Sequence, residues 1–127
     1  MAMHNPHEHL VLIADDDPDA RELVAATLGR LGYSVVEACD GVEALDLIRE
    51  RSPGVVLLDV NMPRLDGIQV AEQLRADEAD TPFIFVTGQT GRDVLDRSVA
   101  TFPAGYISKP FPLQKLRDQV RAALAEA

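Results

Sequence analysis

Five short apolar runs alternate with five stretches of helical periodicity along this chain. That alternation predicts an α/β fold, a doubly wound five-stranded parallel sheet with five helices. Two more observations support it. The connections are short, as right-handed strand–helix–strand crossovers allow. Three of the runs also end in acid or base, at Ala14-Asp15-Asp16, Leu58-Asp59 and Ser108-Lys109-Pro110. In the strand order 2-1-3-4-5 these ends meet at the edge where open α/β sheets gather their ligand groups.

Leu10 to Ala14 is continuously apolar, as expected of a strand buried on both faces. Asp17-Pro18 then supplies an N-cap residue followed by proline at the first helical position. Ala20, Leu23, Val24, Thr27, Leu28 and Leu31 recur at helical spacing until Gly32 stops the helix. Tyr33 to Ala38 reads as the second strand. Val42 to Arg51 is a helix with Leu45 and Ile48 inward, and Ser52-Pro53-Gly54 breaks it before the third strand, Val55 to Leu58. Met62 to Gly67 is a loop of turn residues, followed by a short helix from Ile68 to Arg75 with Val70, Ala71 and Leu74 inward.

Thr81-Pro82 opens the fourth strand, Phe83 to Val86. Val94, Leu95, Ser98, Val99 and Phe102 mark a fourth helix, which Pro103 ends by driving Phe102 out of helical geometry. Ala104 to Ser108 is the fifth strand. Pro112 begins a last helix, striped by Leu113, Leu116, Val120 and Leu124, that runs to the chain end.

At 127 residues, with 46% hydrophobic and 26% charged, the chain has the size and balance of one globular domain, assigned here to 10–127. Residues 1–9 precede any periodic segment, and although they hold all three histidines they read as a disordered leader and not as a metal site. A formal charge of −9 argues against direct nucleic-acid binding, which needs clustered Lys and Arg. No apolar run approaches the roughly 20 residues of a membrane span. The single cysteine, Cys39, and the absence of a signal-peptide pattern point to a reducing, cytoplasmic setting.

On the predicted sheet Asp15 and Asp16 end strand one, Asp59 strand three, Thr87 strand four and Lys109 strand five. Three carboxylates so placed repel one another unless a cation sits among them. Asp16 and Asp59 suit Mg²⁺, a hard ion that accepts a few carboxylates and keeps several waters. With the ion in place Asp59 stays ionised and can act as a nucleophile toward phosphorus. Asp17 and Asp66 read as helix caps. Cys39, Met62, Phe83, Phe85, Phe102 and Phe111 read as core or loop packing.

The motifs Ala-Asp15-Asp16-Asp-Pro, Leu-Leu-Asp59-Val-Asn-Met-Pro63-Arg-Leu-Asp66-Gly67, Val-Thr87 and Tyr106-Ile-Ser-Lys109-Pro110-Phe follow in order from about Val11 onward. Together they resemble the CheY-like receiver domains of two-component response regulators, whose fold is flavodoxin-like. The resemblance implies a signalling phosphoacceptor and not an enzyme, one that assists its own phosphorylation and dephosphorylation. Asp59 would take a phosphoryl group from a sensor histidine kinase or histidine phosphotransfer protein. Asp16, Asp59 and the Asn61 backbone carbonyl would hold Mg²⁺, or Mn²⁺ in its place, with Asp15 acting through water. Lys109 would pair with the phosphoryl oxygens and Thr87 would hydrogen-bond one of them.

By the same resemblance Asn61 and Gln89 would tune how fast the phosphoryl group is lost, and Tyr106 would turn inward when Thr87 moves. The responding surface would be helix four, strand five and helix five, which could also support dimerisation and would face an unknown output partner or domain. Lys109-Pro110 would be cis. Gly88, where the family usually has alanine, and Ala100-Thr-Phe-Pro-Ala104 depart from the pattern on that surface.

Two rival readings compete. A receiver-like scaffold that works without phosphate would leave the buried acids and lysine costly and without purpose. A small phosphatase using Asp15-Asp16-Asp17 with Asp15 as nucleophile would want a substrate-enclosing cap, for which there is little chain.

Overall fold

Strands that carry apolar residues at every position need cover on both faces, and parallel pairing with helices on either side provides it. The computed structural model describes residues 10–88 and 92–125, without the side chains of residues 92 and 93. The proposed leader, residues 1–9, lies outside the described residues, as does Gln89. In chain order the elements are β1 (Leu10–Ala14), α1 (Pro18–Arg30), β2 (Ser34–Ala38), α2 (Gly41–Arg51) and β3 (Val55–Leu58). They continue with α3 (Gly67–Ala76), β4 (Phe83–Thr87), α4 (Arg92–Val99), β5 (Gly105–Ser108) and α5 (Leu113–Ala125).

The strands form one parallel sheet in the order β2-β1-β3-β4-β5. Ala14 lies beside Leu58, and Thr87 beside Ser108, so the carboxyl ends of the central strands finish at one edge. Alternate residues of each strand enter opposite cores. Leu12, Val56, Leu58, Phe83 and Phe85 pack with Ile48, Ile68 and Leu74 on one face. Val11, Leu57, Ile84, Val86 and Ile107 pack with Leu28, Leu116 and Val120 on the other.

Local chemistry sets the helix starts. Asp17, Asp40 and Asp66 each stand in extended geometry and accept a hydrogen bond from a backbone N–H of the first turn. At Asp66 the bond is reciprocal, because Gln69 Oε1 accepts from the Asp66 N–H at 2.9 Å while Asp66 Oδ1 accepts from Gln69 N–H at 2.8 Å. The predicted caps at Asp17 and Asp66 are thus present. Element boundaries differ from the sequence-based expectation by a residue or so, where a cap or strand-end hydrogen bond extends or trims the regular run, except at α4, which begins two residues before Val94 and ends three before Phe102.

The stripes of α1 and α4 differ more. In α1, Val24 and Leu28 are buried, while Leu23 and the flanking Leu31 are exposed. In α4, Ser98 is buried, but Leu95 and Val99 face solvent. Residues four apart share a helix face, so Val94 and Ser98 take the inward side and their neighbours turn away from it. Phe102 leaves helical geometry as Pro103 requires, but at φ 54° and with 76% of its surface exposed. It and the exposed Cys39 are therefore not packing residues.

Candidate functional site

Strand pairing continues past the strand ends and sets the site. The Asp59 N–H donates to Ala14 O at 2.9 Å, the Asp15 N–H to Ala38 O at 3.1 Å, and the Lys109 N–H to Thr87 O at 3.0 Å. The end of β1 is thereby tied to those of β2 and β3, and the end of β5 to that of β4, before any side chain contributes. A tight return follows Asp59, where the Gly67 N–H donates to Val60 O at 3.0 Å. A Cβ on Gly67 would overlap the Asp59 carbonyl oxygen, so only glycine lets α3 start this close to the site.

The side chains then converge. Lys109 Nζ donates to Asp15 Oδ2 at 2.8 Å and to Asp59 Oδ2 at 3.2 Å, one ammonium between two nearly buried carboxylates. The other oxygens are engaged by the backbone: Asp15 Oδ1 accepts from the Asp17 N–H at 2.9 Å, and Asp59 Oδ1 from the Asn61 N–H at 3.1 Å. The turn at Asp17 re-aims Asp15, and exposed Asp16 completes the group. One oxygen from each of Asp15, Asp16 and Asp59 lies within 4.8 Å of the others.

Thr87 is buried at the end of β4. Tyr106, on β5 beside Phe85, sets its ring 5.7 Å from the Phe85 ring, and its hydroxyl is 2.8 Å from Ser98 Oγ. Lys109-Pro110 is cis. The cluster also borders a cavity of about 410 Å³ whose remaining lining is chiefly apolar, including Ala20, Leu23, Val24 and Phe111.

Burial is the main influence on the Asp59 carboxyl and raises its pKa above the ordinary 3.8; the Lys109 charge offsets part of this, and the Asp15 charge adds to it. For Lys109 burial acts downward, but the hydrogen bond to Asp15 and the attraction of Asp59 outweigh it and raise the ammonium above its usual range. A carboxyl whose pKa is higher folded than unfolded binds more protons in the native state between the two values, so stability falls as pH rises through that window. Asp59→Asn should therefore be more stable than the native chain at pH 7 in metal-free buffer. The gap should close as pH falls toward 3.8, which urea denaturation at both pH values measures.

Sequence reasoning missed three contributors. Arg21 Nη1 donates to the Asp15 carbonyl at 2.8 Å, and its Nε to Glu37 Oε1 at 3.0 Å, bracing the end of β1 from α1. Ser98 meets Tyr106, and Gly67 makes room beside Asp59. Of these only Gly67, standing after a cap residue, had a local signal.

Fold and site together define a class: a small doubly wound α/β domain with an acidic cluster at the topological switch point and a lysine held beside it. The family model described as the response regulator receiver domain matches residues 11–121, and the chain belongs to that family.

Among sequence relatives, response regulator MprA of Mycobacterium sp. (strain KMS) is 46% identical over 117 residues, covering 90% of this chain and 50% of that protein. MprA of Mycobacterium tuberculosis (strain ATCC 25177 / H37Ra) is 44% identical over the same length and with the same coverage. The chain thus spans about half the length of these relatives.

Among solved structures, the Francisella response regulator 1452 receiver domain superposes with a TM-score of 0.86 at 29% identity, covering 92% of this chain and 97% of that one. Vibrio cholerae chemotaxis protein CheY4 does so with 0.82 at 30% identity, covering 90% and 97%. The BeF3-activated N-terminal receiver domain of Klebsiella pneumoniae RstA gives 0.84 at 29% identity, covering 91% and 97%. The fold and family expected from the sequence are borne out, and the chain is a receiver domain of two-component signalling.

Proposed function

We propose that this domain accepts a phosphoryl group onto Asp59 from the phosphohistidine of a sensor histidine kinase or histidine phosphotransfer protein. The observation that carries this reading is Lys109 Nζ bridging Asp15 and Asp59, with Asp16 beside them. A carboxylate oxygen of Asp59 forms the new bond to phosphorus as the phosphorus–nitrogen bond breaks. The electron pair stays on the imidazole nitrogen of the donor. Such transfers depend mostly on positioning and on neutralising spread negative charge.

The residues fit a hard divalent cation, because three carboxylates converge where one of them is open to water. Asp16, Asp59 and the Asn61 carbonyl would hold Mg²⁺, or Mn²⁺ in its place, and Asp15 would act through water. When bound, the ion offsets charge on the transferring phosphoryl oxygens. Lys109 leaves its place between the two acids to meet the phosphoryl group, and the Thr87 hydroxyl donates to one of its oxygens. Asn61 and Gln89 would tune how fast the phosphoryl group is lost to water.

Thr87 and Tyr106 carry the change to α4, β5 and α5. On that side Leu95 and Val99 are exposed, as a surface for an output partner or for dimerisation would require. Among the described residues no helix is long and apolar enough to cross a membrane. The charge of −9 supports a domain that does not itself bind nucleic acid, and the single Cys39 supports a reducing, cytoplasmic setting.

The test is phosphoryl uptake from acetyl phosphate with Mg²⁺ and with a chelator. Uptake should need the ion, and Asp16→Ala should move the requirement to higher Mg²⁺. The ion should also stabilise the native chain, by about 2.7 kcal/mol at a hundred times its dissociation constant. Undiminished uptake in chelator would contradict the reading.

A further inference from the structure

Helix α4 is held to the rest of the fold by an unusual kind of contact. Its buried Ser98 is only 1% exposed and is polar, while the apolar Leu95 and Val99 of the same helix face water. Ser98 Oγ lies 2.9 Å from the Leu95 carbonyl and 2.8 Å from the Tyr106 hydroxyl. A serine hydroxyl has one proton, and a carbonyl can only accept. Ser98 therefore donates to Leu95 O, and Tyr106 must donate to Ser98.

The serine is itself braced from outside α4. Thr101, 3% exposed, donates from Oγ1 to the Ser98 carbonyl at 2.6 Å. Arg75, in the last turn of α3, donates from Nε to Thr101 O at 2.6 Å and from Nη2 to Phe102 O at 2.8 Å. Its guanidinium lies 4.9 Å from the centroid of the buried Phe83 ring, which favours this placement. A continuous set of hydrogen bonds thus runs from α3 through the turn after α4 to the phenol on β5.

We propose that Ser98 is a positioning residue for Tyr106, a hydroxyl acceptor fixed by the Arg75–Thr101 brace that holds the phenol inward against α4 and the Phe85 ring. As far as signalling goes, the proposal rests on Asp59 being the phosphoryl acceptor and on Thr87 and Tyr106 being the route outward. Energy that favours the inward ring favours every state coupled to it. Loss of the Ser98 hydroxyl then loosens the ring and slows phosphoryl uptake by about 2- to 10-fold, the worth of one ordinary hydrogen bond.

Two measurements on the native chain, Ser98→Ala, Tyr106→Phe and the double variant decide this. Alanine is a good helix former, so Ser98→Ala leaves α4 intact. The first measurement is NMR of ¹³Cζ-labelled tyrosine without any phosphodonor, with Tyr33 as the internal reference. Ser98→Ala should shift or broaden the Tyr106 signal and leave Tyr33 unmoved; an unmoved Tyr106 signal overturns the proposal.

The second is the rate of phosphoryl uptake from acetyl phosphate with Mg²⁺. Ser98→Ala and Tyr106→Phe should slow it by similar factors, and the double variant by no more than either. Independent, multiplying effects, or an unchanged rate in Ser98→Ala, overturn the proposal. If the native chain takes up no phosphate at all, the proposed function fails, and the NMR measurement alone decides the role of Ser98.

Discussion

Asp59→Asn takes up no stable phosphate: the expected fall in rate with acetyl phosphate and Mg²⁺ is more than about 10³-fold, because the attacking oxygen is what is removed. The substitution is nearly isosteric. An asparagine oxygen can still accept the Asn61 N–H that Asp59 Oδ1 accepts at 3.1 Å, and Lys109 keeps its 2.8 Å bond to Asp15. The fold should therefore persist, and circular dichroism of the variant should match the native chain. Loss of phosphate without loss of structure separates a nucleophile from a residue that merely supports the edge of the sheet. Retained uptake at the native rate would remove Asp59 from the reaction.

Phe85→Ala should cost about 3–5 kcal/mol, the range for emptying a fully buried aromatic site. Phe85 is 0% exposed in the middle of β4. It meets Phe83 edge-on at 5.7 Å and 69°, and Tyr106 at 5.7 Å and 33°. Domains of this size are stable by only about 5–15 kcal/mol, so the loss is a large share of the total. It would lower the urea midpoint markedly and remove the surface on which the Tyr106 ring rests. Phe102→Ala gives the contrast within one experiment, because a ring 76% exposed should change stability by no more than about 0.5 kcal/mol. Similar costs at the two positions would mean that the core is not where the burial of these rings puts it.

The difference between those two phenylalanines shows where sequence reading works and where it stops. Phe85 lies in a run whose every member is apolar, and only a strand covered on both faces accommodates such a run. Phe102 fell on a helical spacing, yet the proline after it and the short α4 put it outside regular structure with its ring in water. Strand ends were legible for the same reason as strands, since an acid or a lysine closing an apolar run marks the place where the sheet meets solvent. Hence the apolar runs alone put Asp15, Asp16, Asp59, Thr87 and Lys109 at one edge of the sheet.

Contacts between residues distant in sequence were not legible. Arg21 reaching the Asp15 carbonyl, Ser98 meeting Tyr106, and Arg75 gripping the turn after α4 depend on helix rotation about the sheet. That rotation is set by the packing of both cores together and leaves no mark on the local pattern. The inward side of α4 is the clearest case, because Leu95 and Val99 have more apolar surface than Ser98 but the hydroxyl is what faces β5.

The most direct test is to locate the phosphoryl group itself. After incubation with acetyl phosphate and Mg²⁺, the aspartyl phosphate is trapped chemically and the modified residue is read by peptide mass spectrometry. Modification at Asp59 alone is the predicted result. A modified Asp15, as an Asp-x-Asp phosphatase would give, or no modified aspartate, as a phosphate-independent scaffold would give, would contradict it.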